Sequence, residues 1–381
     1  MKKDIGHVNS LRQAYRGRRV LVTGHTGFKG AWLCEWLLKL GAEVHGFALK
    51  PPTKPALFTQ LRLARRLASH EVGDVRDRAA VAACVARVKP DFVFHLAAQP
   101  IVRESYRTPA ETFDVNVMGT VNVLEAVRRW ALATDLADSR GLKGAVSVVC
   151  VTTDKVYEND NSGRAFREGD PLGGSDPYSA SKGACEIAVA SYRRSFFDGP
   201  ESRVRVASAR AGNVIGGGDW AADRIVPDAM RAFLAGKHLL VRNRKSTRPW
   251  QHVLEPLGGY LMLGAALGAG TAGAGGSDPA ARAFNFGPDA ACVKTVGDLV
   301  RELKRHFPAA QVEDRTDPRA PKEALLLQLD SAKAATVLGW APRWDFGRTI
   351  RETARWYAAV AAGEDPRRVT DEQIDDYSKG M

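Results

Sequence analysis

The chain has 381 residues, enough to bury a sizeable core in one large domain or in a large domain with a smaller lobe. Its composition, 45% hydrophobic and 26% charged, matches soluble globular proteins and excludes bulk disorder. Fifty-five basic against 43 acidic residues leave a net charge of +12, an excess that suits nucleic acid, membrane surfaces or phosphorylated small molecules, so that only its distribution decides between them.

The opening stretch MKKDIGHVNSLRQAYRGRRV starts basic but has no apolar run of the kind a signal peptide carries. Arg19–Thr23 is a short apolar segment stopped by Gly24 and reads as a buried strand. Trp32, Leu33, Trp36, Leu37 and Leu40 then recur at helical spacing until Gly41. Glu43–Leu49 and Ser69–Val75 read as strands, Val81–Val88 as a helix and Asp91–Ala98 as a fourth strand. Thr112–Trp130 reads as a long helix, Ala145–Thr153 as a fifth strand, Tyr178–Phe197 as another long helix and Val204–Arg210 as a sixth strand. This alternation predicts an α/β fold, a Rossmann-type doubly wound parallel sheet.

Beyond Gly212 the alternation breaks into Gly-, Pro- and charge-rich stretches, which predicts a smaller α/β substrate-binding lobe. We expect residues 1–212 to be mainly dinucleotide-binding and 213–381 mainly the lobe, with about 250–290, including the strand-like Ala283–Gly287, returning to the sheet. Leu257–Ser277 carries no charge, yet its Gly/Ala composition reads as a buried helix and a Gly-rich loop rather than a membrane span. The acidic segment Asp371–Asp376 shows no structural pattern. Cys34, Cys84, Cys150, Cys185 and Cys292 are odd in number and form no CxxC pair, so we expect reduced cytoplasmic thiols, no disulfide framework and no metal.

Three clusters carry chemistry. Gly24-His25-Thr26-Gly27-Phe28-Lys29-Gly30 follows a strand and opens a helix, where glycines allow a tight turn and bring a pyrophosphate to the helix N-terminus. The spacing is GxxGxxG rather than GxGxxG, but the strand–turn–helix context favours dinucleotide binding over a plain turn. No Asp or Glu stands at the end of the second strand: Glu43 is too early, and Lys50 is positioned to meet a 2′-phosphate. The residues therefore leave NAD and NADP both open. Asp74-Val75 reads equally well as an adenine contact or as an ordinary strand end. The second cluster is Tyr178-Ser-Ala-Ser-Lys182. Tyr and Lys four apart share one helix face, and an ammonium there favours the phenolate. The third is Thr152-Thr153-Asp154-Lys155 at the carboxyl end of the fifth strand, where doubly wound sheets bind their ligands.

These motifs resemble the extended short-chain dehydrogenase/reductase family of nucleotide-sugar enzymes and, within it, the branch that dehydrates CDP-linked glucose. The resemblance rests on VTGHTGFKGAWL (22–33), PPTKPALF (51–58), HLAAQPIVRESY (95–106), TTDKVYEN (152–159), YSASK (178–182), RAGNVIGGGDWAADRIVPD (210–228), RPWQHVLEPLGGYL (248–261) and LGWAPRW (338–344). It implies NAD as cofactor, CDP-glucose as substrate and an internal redox cycle: oxidation at C4, loss of water across C5 and C6, and return of the hydride to C6. Tyr178 would take the 4-hydroxyl proton, Thr153 would hydrogen-bond that hydroxyl, Asp154 would protonate the leaving 6-hydroxyl, and Lys182 would hold the ribose. Lys155 stands where dTDP- and GDP-sugar relatives carry the Glu assigned as C5 base, a role a lysine takes only with a depressed pKa.

The resemblance also places Leu96, Ala97 and Ala98 on the cofactor, Gln99 and Arg103 near the hexose, and Asn213, Arg224, Val226, Arg242 and Arg248 on the nucleotide and pyrophosphate. His25 occupies a loop position that is often small, crowding the pyrophosphate. A homodimer is implied, paired through Thr112–Trp130 and Tyr178–Phe197. Two further readings compete: a nucleotide-sugar 4-epimerase of the same fold, which needs Tyr178 and Lys182 but not the acid, and a non-catalytic dinucleotide- or nucleic-acid-binding protein. The basic residues are scattered with no aromatic-interleaved run, which argues against a nucleic-acid partner, and no membrane partner is expected.

Overall fold

The computed structural model describes residues 6–133, 145–160, 162–199, 202–270, 280, 282–315, 327–379 and 381. Seven strands form one parallel sheet: β1 Arg19–Thr23, β2 Glu43–Ala48, β3 Ser69–Val72, β4 Phe92–His95, β5 Val146–Val151, β6 Val204–Ala211 and β7 Ala283–Phe286. Their order is β7-β6-β5-β4-β1-β2-β3. The order reverses between β1 and β4, so the carboxyl ends of these two strands open the crevice where such sheets bind ligands. The registers carry the apolar alternation across the sheet, with Val20 facing both Val44 and Phe92.

The helices of ten or more residues are α1 Gly6–Tyr15, α2 Phe28–Lys39, α3 Arg78–Val88, α4 Gly119–Ala133, α5 Pro177–Tyr192, α6 Ile225–Leu234, α7 Leu254–Ala269, α8 Val296–His306, α9 Phe346–Ala361 and α10 Pro366–Ser378. Two apolar cores flank the sheet. One gathers Trp32, Trp36, Leu257, Leu261 and Trp356 from α2, α7 and α9. The other gathers Val81, Val85, Val123, Val127 and Val189 from α3, α4 and α5. The predicted strands all form, and Ala283–Phe286 does return to the sheet, pairing with Ser208–Ala211 of β6. The two predicted long helices each contain a wide π-type turn, at Asp114–Met118 and Arg193–Phe197.

Outside the sheet, His238–Val241 pairs with Gln311–Asp314, and Thr247–Pro249 with Val293–Thr295. The buried helix expected within Leu257–Ser277 is α7; the Gly-rich segment 271–279 lies outside the described residues. Among the described residues no helix is long and apolar enough to cross a membrane, all five cysteines are buried and unpaired, and no cluster could hold a metal ion.

The acidic segment Asp371–Asp376 is a correction to the sequence reading, since it lies within α10. Asp365 caps this helix by accepting from Arg367 N, and Pro366 takes its first position. Its buried face, Val369, Thr370, Gln373, Ile374 and Tyr377, has helical spacing, but two of the five are polar, which hid the pattern. Both side chains are hydrogen-bonded inside, although Gln373 Oε1 has no partner among the described residues: Trp356 Nε1 donates to Thr370 Oγ1 at 2.9 Å, and Gln373 Nε2 donates to the Glu352 carbonyl at 2.7 Å. The opening segment also holds an unpredicted helix, α1, whose Tyr15 hydroxyl donates to the Leu261 carbonyl at 2.7 Å.

Candidate active site

The glycine loop is shaped by contact as well as by turn geometry. Gly24 has φ +75°, and a Cβ there would lie 2.7 Å from Ala97 N. A Cβ on Gly30 would strike the Gly24 carbonyl and lie 2.7 Å from His25 Cα. Gly27 precedes α2 with no side-chain cap, so the first N–H groups of the helix remain available to an anion. This cradle fits a dinucleotide pyrophosphate. Gly30→Ala should therefore weaken NAD binding about tenfold or more in a calorimetric titration, with the far-UV circular dichroism unchanged.

The other predicted cofactor residues surround this loop. Thr26 Oγ1 donates to the Leu49 carbonyl at 2.9 Å, tying the loop to the end of β2. Leu96 N donates to the Thr23 carbonyl at 3.1 Å and Ala97 N to Thr23 Oγ1 at 3.3 Å, which folds Leu96–Ala98 over the carboxyl end of β1. The His25 ring lies over Gly46 of β2, edge-on to Phe58, with Nε2 2.7 Å from His70 Nδ1. Burial and His70 push its pKa down to about 4, so the ring is neutral. Asp74 is engaged with Arg76, accepting from its backbone N–H at 2.9 Å and its Nη2 at 2.6 Å. Val75 is buried against Gly119, and Lys50 is exposed. A cavity of about 310 Å³ lies beside Leu49, Arg76, Ala98 and Gln99; it includes none of the five predicted catalytic residues.

The catalytic set converges at the end of β5. Asp154–Val156 is a single tight turn, and Thr153 caps it. Thr153 Oγ1 donates to Asp154 Oδ1 at 2.9 Å. A Cβ on Gly212 would come 2.9 Å from Asp154 Oδ2, so a side chain there would have to push the carboxylate aside. Asp176 and Pro177 start α5 by cap and fixed φ, which places Tyr178 in its first turn and Lys182 one turn on. Thr153, Asp154, Tyr178 and Lys182 are all buried; Lys155 is half-buried.

Electrostatics departs from the expectation for Tyr178. Burial pushes its phenol up to about 12, the Thr153 hydroxyl opposes this, and Asp154 adds to it. Lys182 instead donates to the Val151 carbonyl at 3.2 Å, and burial lowers its own pKa. Desolvation is the largest influence on the phenol, and the cation that opposes it is Arg224.

Lys29, predicted as part of the loop, reaches further than the loop. Its ammonium lies 5.9 Å from the Tyr260 ring centroid and feels Arg224, Asp154 and Lys182. Burial and these cations lower it to about 8. Tyr260, which sequence reasoning did not single out, has a buried hydroxyl with no partner among the described residues. Tyr178 is the titratable group that acts on this hydroxyl.

The predicted substrate residues divide. Arg224 donates to Asp219 Oδ2 at 3.0 Å and stands near Tyr178 and Lys29. Arg103 and Arg242 both pair with Asp223, at 3.2 and 3.4 Å. Arg248 donates to the Thr247 carbonyl at 2.7 Å. Gln99 braces its own loop, donating to Thr112 Oγ1 at 2.9 Å and accepting from Ile101 N at 2.5 Å. Val226 is buried in the main core and Asn213 is exposed. The fold thus brings Lys29, Thr153, Asp154, Tyr178, Lys182 and Arg224 into one chamber, where a phenol, a carboxyl group and two ammonium groups can exchange protons with a bound hydroxyl compound. Two buried residues behind it, Glu186 and Arg210, were missed. Their signal was the four-residue step from Lys182 to Glu186 on one helix face.

Comparison with known proteins gives the family. The family model described as GDP-mannose 4,6 dehydratase matches residues 21–353. The CDP-glucose 4,6-dehydratase of Salmonella typhimurium is 43% identical over 366 residues, covering 95% of this chain and 97% of that protein. The dTDP-glucose 4,6-dehydratase of Escherichia coli is 27% identical, covering 89% and 93%. Among solved structures, the dTDP-glucose 4,6-dehydratase of Streptomyces venezuelae with NAD and TYD bound superimposes with a TM-score of 0.72 at 23% identity, covering 92% of this chain and 99% of that one. The UDP-glucose 4-epimerase of Thermotoga maritima gives 0.71 at 21% identity, covering 90% and 99%. These two structural likenesses establish the shared fold.

Proposed function

The chain belongs to the GDP-mannose 4,6-dehydratase family, and from that premise we propose that it is a lyase converting CDP-D-glucose to CDP-4-dehydro-6-deoxy-D-glucose and water. The observation that carries this reading is the chamber itself: a buried carboxyl, Asp154, one hydrogen bond from Thr153 and beside the buried Tyr178 phenol. Bound NAD would supply a reversible hydride acceptor for the sugar. The residues placed to hold it are the Gly24–Gly30 loop with Thr26 and Lys29, Leu96–Ala98, Tyr178 and Lys182, with Asp74 and Val75 at the far strand end. Tyr178 takes the proton of the 4-hydroxyl, assisted by the Thr153 hydroxyl. Asp154 gives a proton to the departing 6-hydroxyl. Lys155, on the same turn, occupies the place of the base for C5. In this reading Arg248 grips the substrate pyrophosphate, Asn213, Arg224, Val226 and Arg242 belong to the nucleotide-facing stretch, and Gln99 and Arg103 stand near the hexose.

The deciding assay is to incubate the protein with NAD and each of CDP-, dTDP-, GDP- and UDP-glucose and read the ultraviolet absorbance of the 4-keto product in base. Turnover of CDP-glucose alone is expected; a preference for another nucleotide would overturn the substrate, and no product from any would overturn the reaction.

We further propose a homodimer. The expected pairing helices expose apolar side chains: Met118 at 47%, Ile187 at 62% and Phe196 at 52%, a cost in water that a partner helix pair removes. Ile187→Glu should halve the mass measured by light scattering without lowering helicity; an unchanged mass would refute this interface, and a monomeric wild type would refute the dimer. Unpaired buried thiols suit a cytoplasmic location. The division into a dinucleotide-binding part, mainly 1–212, and a nucleotide-sugar lobe, mainly 213–381, belongs to the same proposal.

A further inference from the structure

Behind the catalytic turn lies a buried ion pair that the chemistry above does not use. Glu186 follows Lys182 on the same face of α5. One of its carboxylate oxygens accepts from Thr152 Oγ1 at 2.5 Å; the other accepts from Ser208 Oγ at 2.6 Å and Arg210 Nη2 at 2.8 Å. Arg210, also buried, donates to the Tyr157 hydroxyl at 2.8 Å and the Glu168 carbonyl at 3.1 Å. One carboxylate therefore ties α5 to β5 and β6, and Thr152 directly precedes the Thr153-Asp154 pair.

Such a pair is a weak source of stability, because an apolar pair of the same volume usually serves as well or better. Its position points to a different role. The Lys182 ammonium is buried, and burial penalises its charged form. The titratable groups that face it are Cys150 on β5, Cys185 and Glu186 on α5, His95 on β4 and Lys29 on α2. Burial raises both thiols, so they are neutral at pH 7. His95 is pushed down to about 3 and is neutral too, and Lys29 repels. Glu186 is held ionised by Arg210, Ser208 and Thr152 against its own burial, with Arg193 as a further positive neighbour. Among these groups it is the one negative charge.

We propose that Glu186 is a positioning residue that keeps the Lys182 ammonium charged beside Tyr178 and, through Thr152, orients the Thr153-Asp154 turn. The proposal rests on the roles given above to Tyr178 and Lys182, so its test includes a readout that needs no turnover. Glu186→Gln keeps the size and removes the charge. Because it leaves Arg210 buried without its anion, the double variant Glu186→Gln/Arg210→Met removes both charges together and guards against misfolding. Two pH series are measured: NAD affinity by calorimetry without sugar, and kcat/KM on CDP-glucose.

A charged ammonium holds the cofactor ribose more strongly than a neutral amine, so affinity declines as pH rises through the Lys182 transition. In both variants that decline should begin about one pH unit lower than in the wild type, and the acid limb of kcat/KM should move up as the phenol loses its neighbouring charge. Glu186→Asp, which keeps the charge, should restore both limbs. Lower plateaus with every limb in its wild-type place would overturn the proposal and leave Glu186 a brace for the fold. A shifted NAD series in a protein that turns over no CDP-glucose would overturn the functional reading and uphold this one.

Discussion

Asp154→Asn should oxidise CDP-glucose at C4 yet release no water. The substitution is nearly isosteric: an amide oxygen at the Oδ1 position still accepts from Thr153 Oγ1, and the close pass of Gly212 is undisturbed. What is lost is a proton to hand to the departing 6-hydroxyl. Positioned acids of this kind contribute about 10²–10⁴-fold, and the whole of that loss should fall on elimination. The expected record is a rise in absorbance at 340 nm that persists, with 4-keto-6-deoxy product reduced about 10²–10⁴-fold. The same measurement separates a dehydratase from a 4-epimerase, which has no hydroxyl to expel. Full dehydration by Asp154→Asn would remove the residue from the mechanism.

Tyr178→Phe should abolish both stages. The phenol is buried, so the substitution keeps the packed ring and deletes one polar atom. C4 oxidation should fall about 10²–10⁴-fold, with no absorbance rise at 340 nm and no product. The pH dependence follows from the burial. Burial pushes the phenol up to about 12, so Tyr178 is protonated at pH 7 and becomes a base only when its surroundings draw that value down. Tyr178 accepts a proton only when deprotonated; wild-type kcat should therefore rise with pH up to the value the phenol has in the complex. A limb near neutrality means that bound ligands and Lys182 offset the burial; a rate still climbing above pH 9 means that they do not. Either limb should vanish in Tyr178→Phe. Retention of C4 oxidation by this variant would assign the proton to another group.

The places where sequence and structure part company have identifiable causes. The reading of Lys182 as the group that lowers Tyr178 used spacing on a helix face, which is right, but spacing carries no information about dielectric. The sheet, α5 and α7 together exclude water from the phenol, and desolvation then dominates. Tyr260 and Lys29 meet across about 230 residues of chain, a contact that no local pattern announces. Glu186 was visible four residues after Lys182, but its partners Thr152, Ser208 and Arg210 lie on two different strands. Helix α10 was unreadable for a related reason. Its buried face contains Thr370 and Gln373, which become core residues only because Trp356 and the Glu352 carbonyl hydrogen-bond to them.

What the amino-acid sequence determined by itself was periodicity and candidate chemistry: the order of strands and helices, the glycine loop after β1, and the carboxyl, phenol and ammonium proposed to react. These follow from short-range rules, since apolar alternation, turn residues and four-residue spacing act within one element. The tertiary structure alone decided which groups are charged, which orphan hydroxyl faces the chamber, and which carboxylate stands behind the lysine. Those depend on solvent exclusion and on distances between segments far apart in the chain, quantities that exist only after the sheet and its two helical layers have closed.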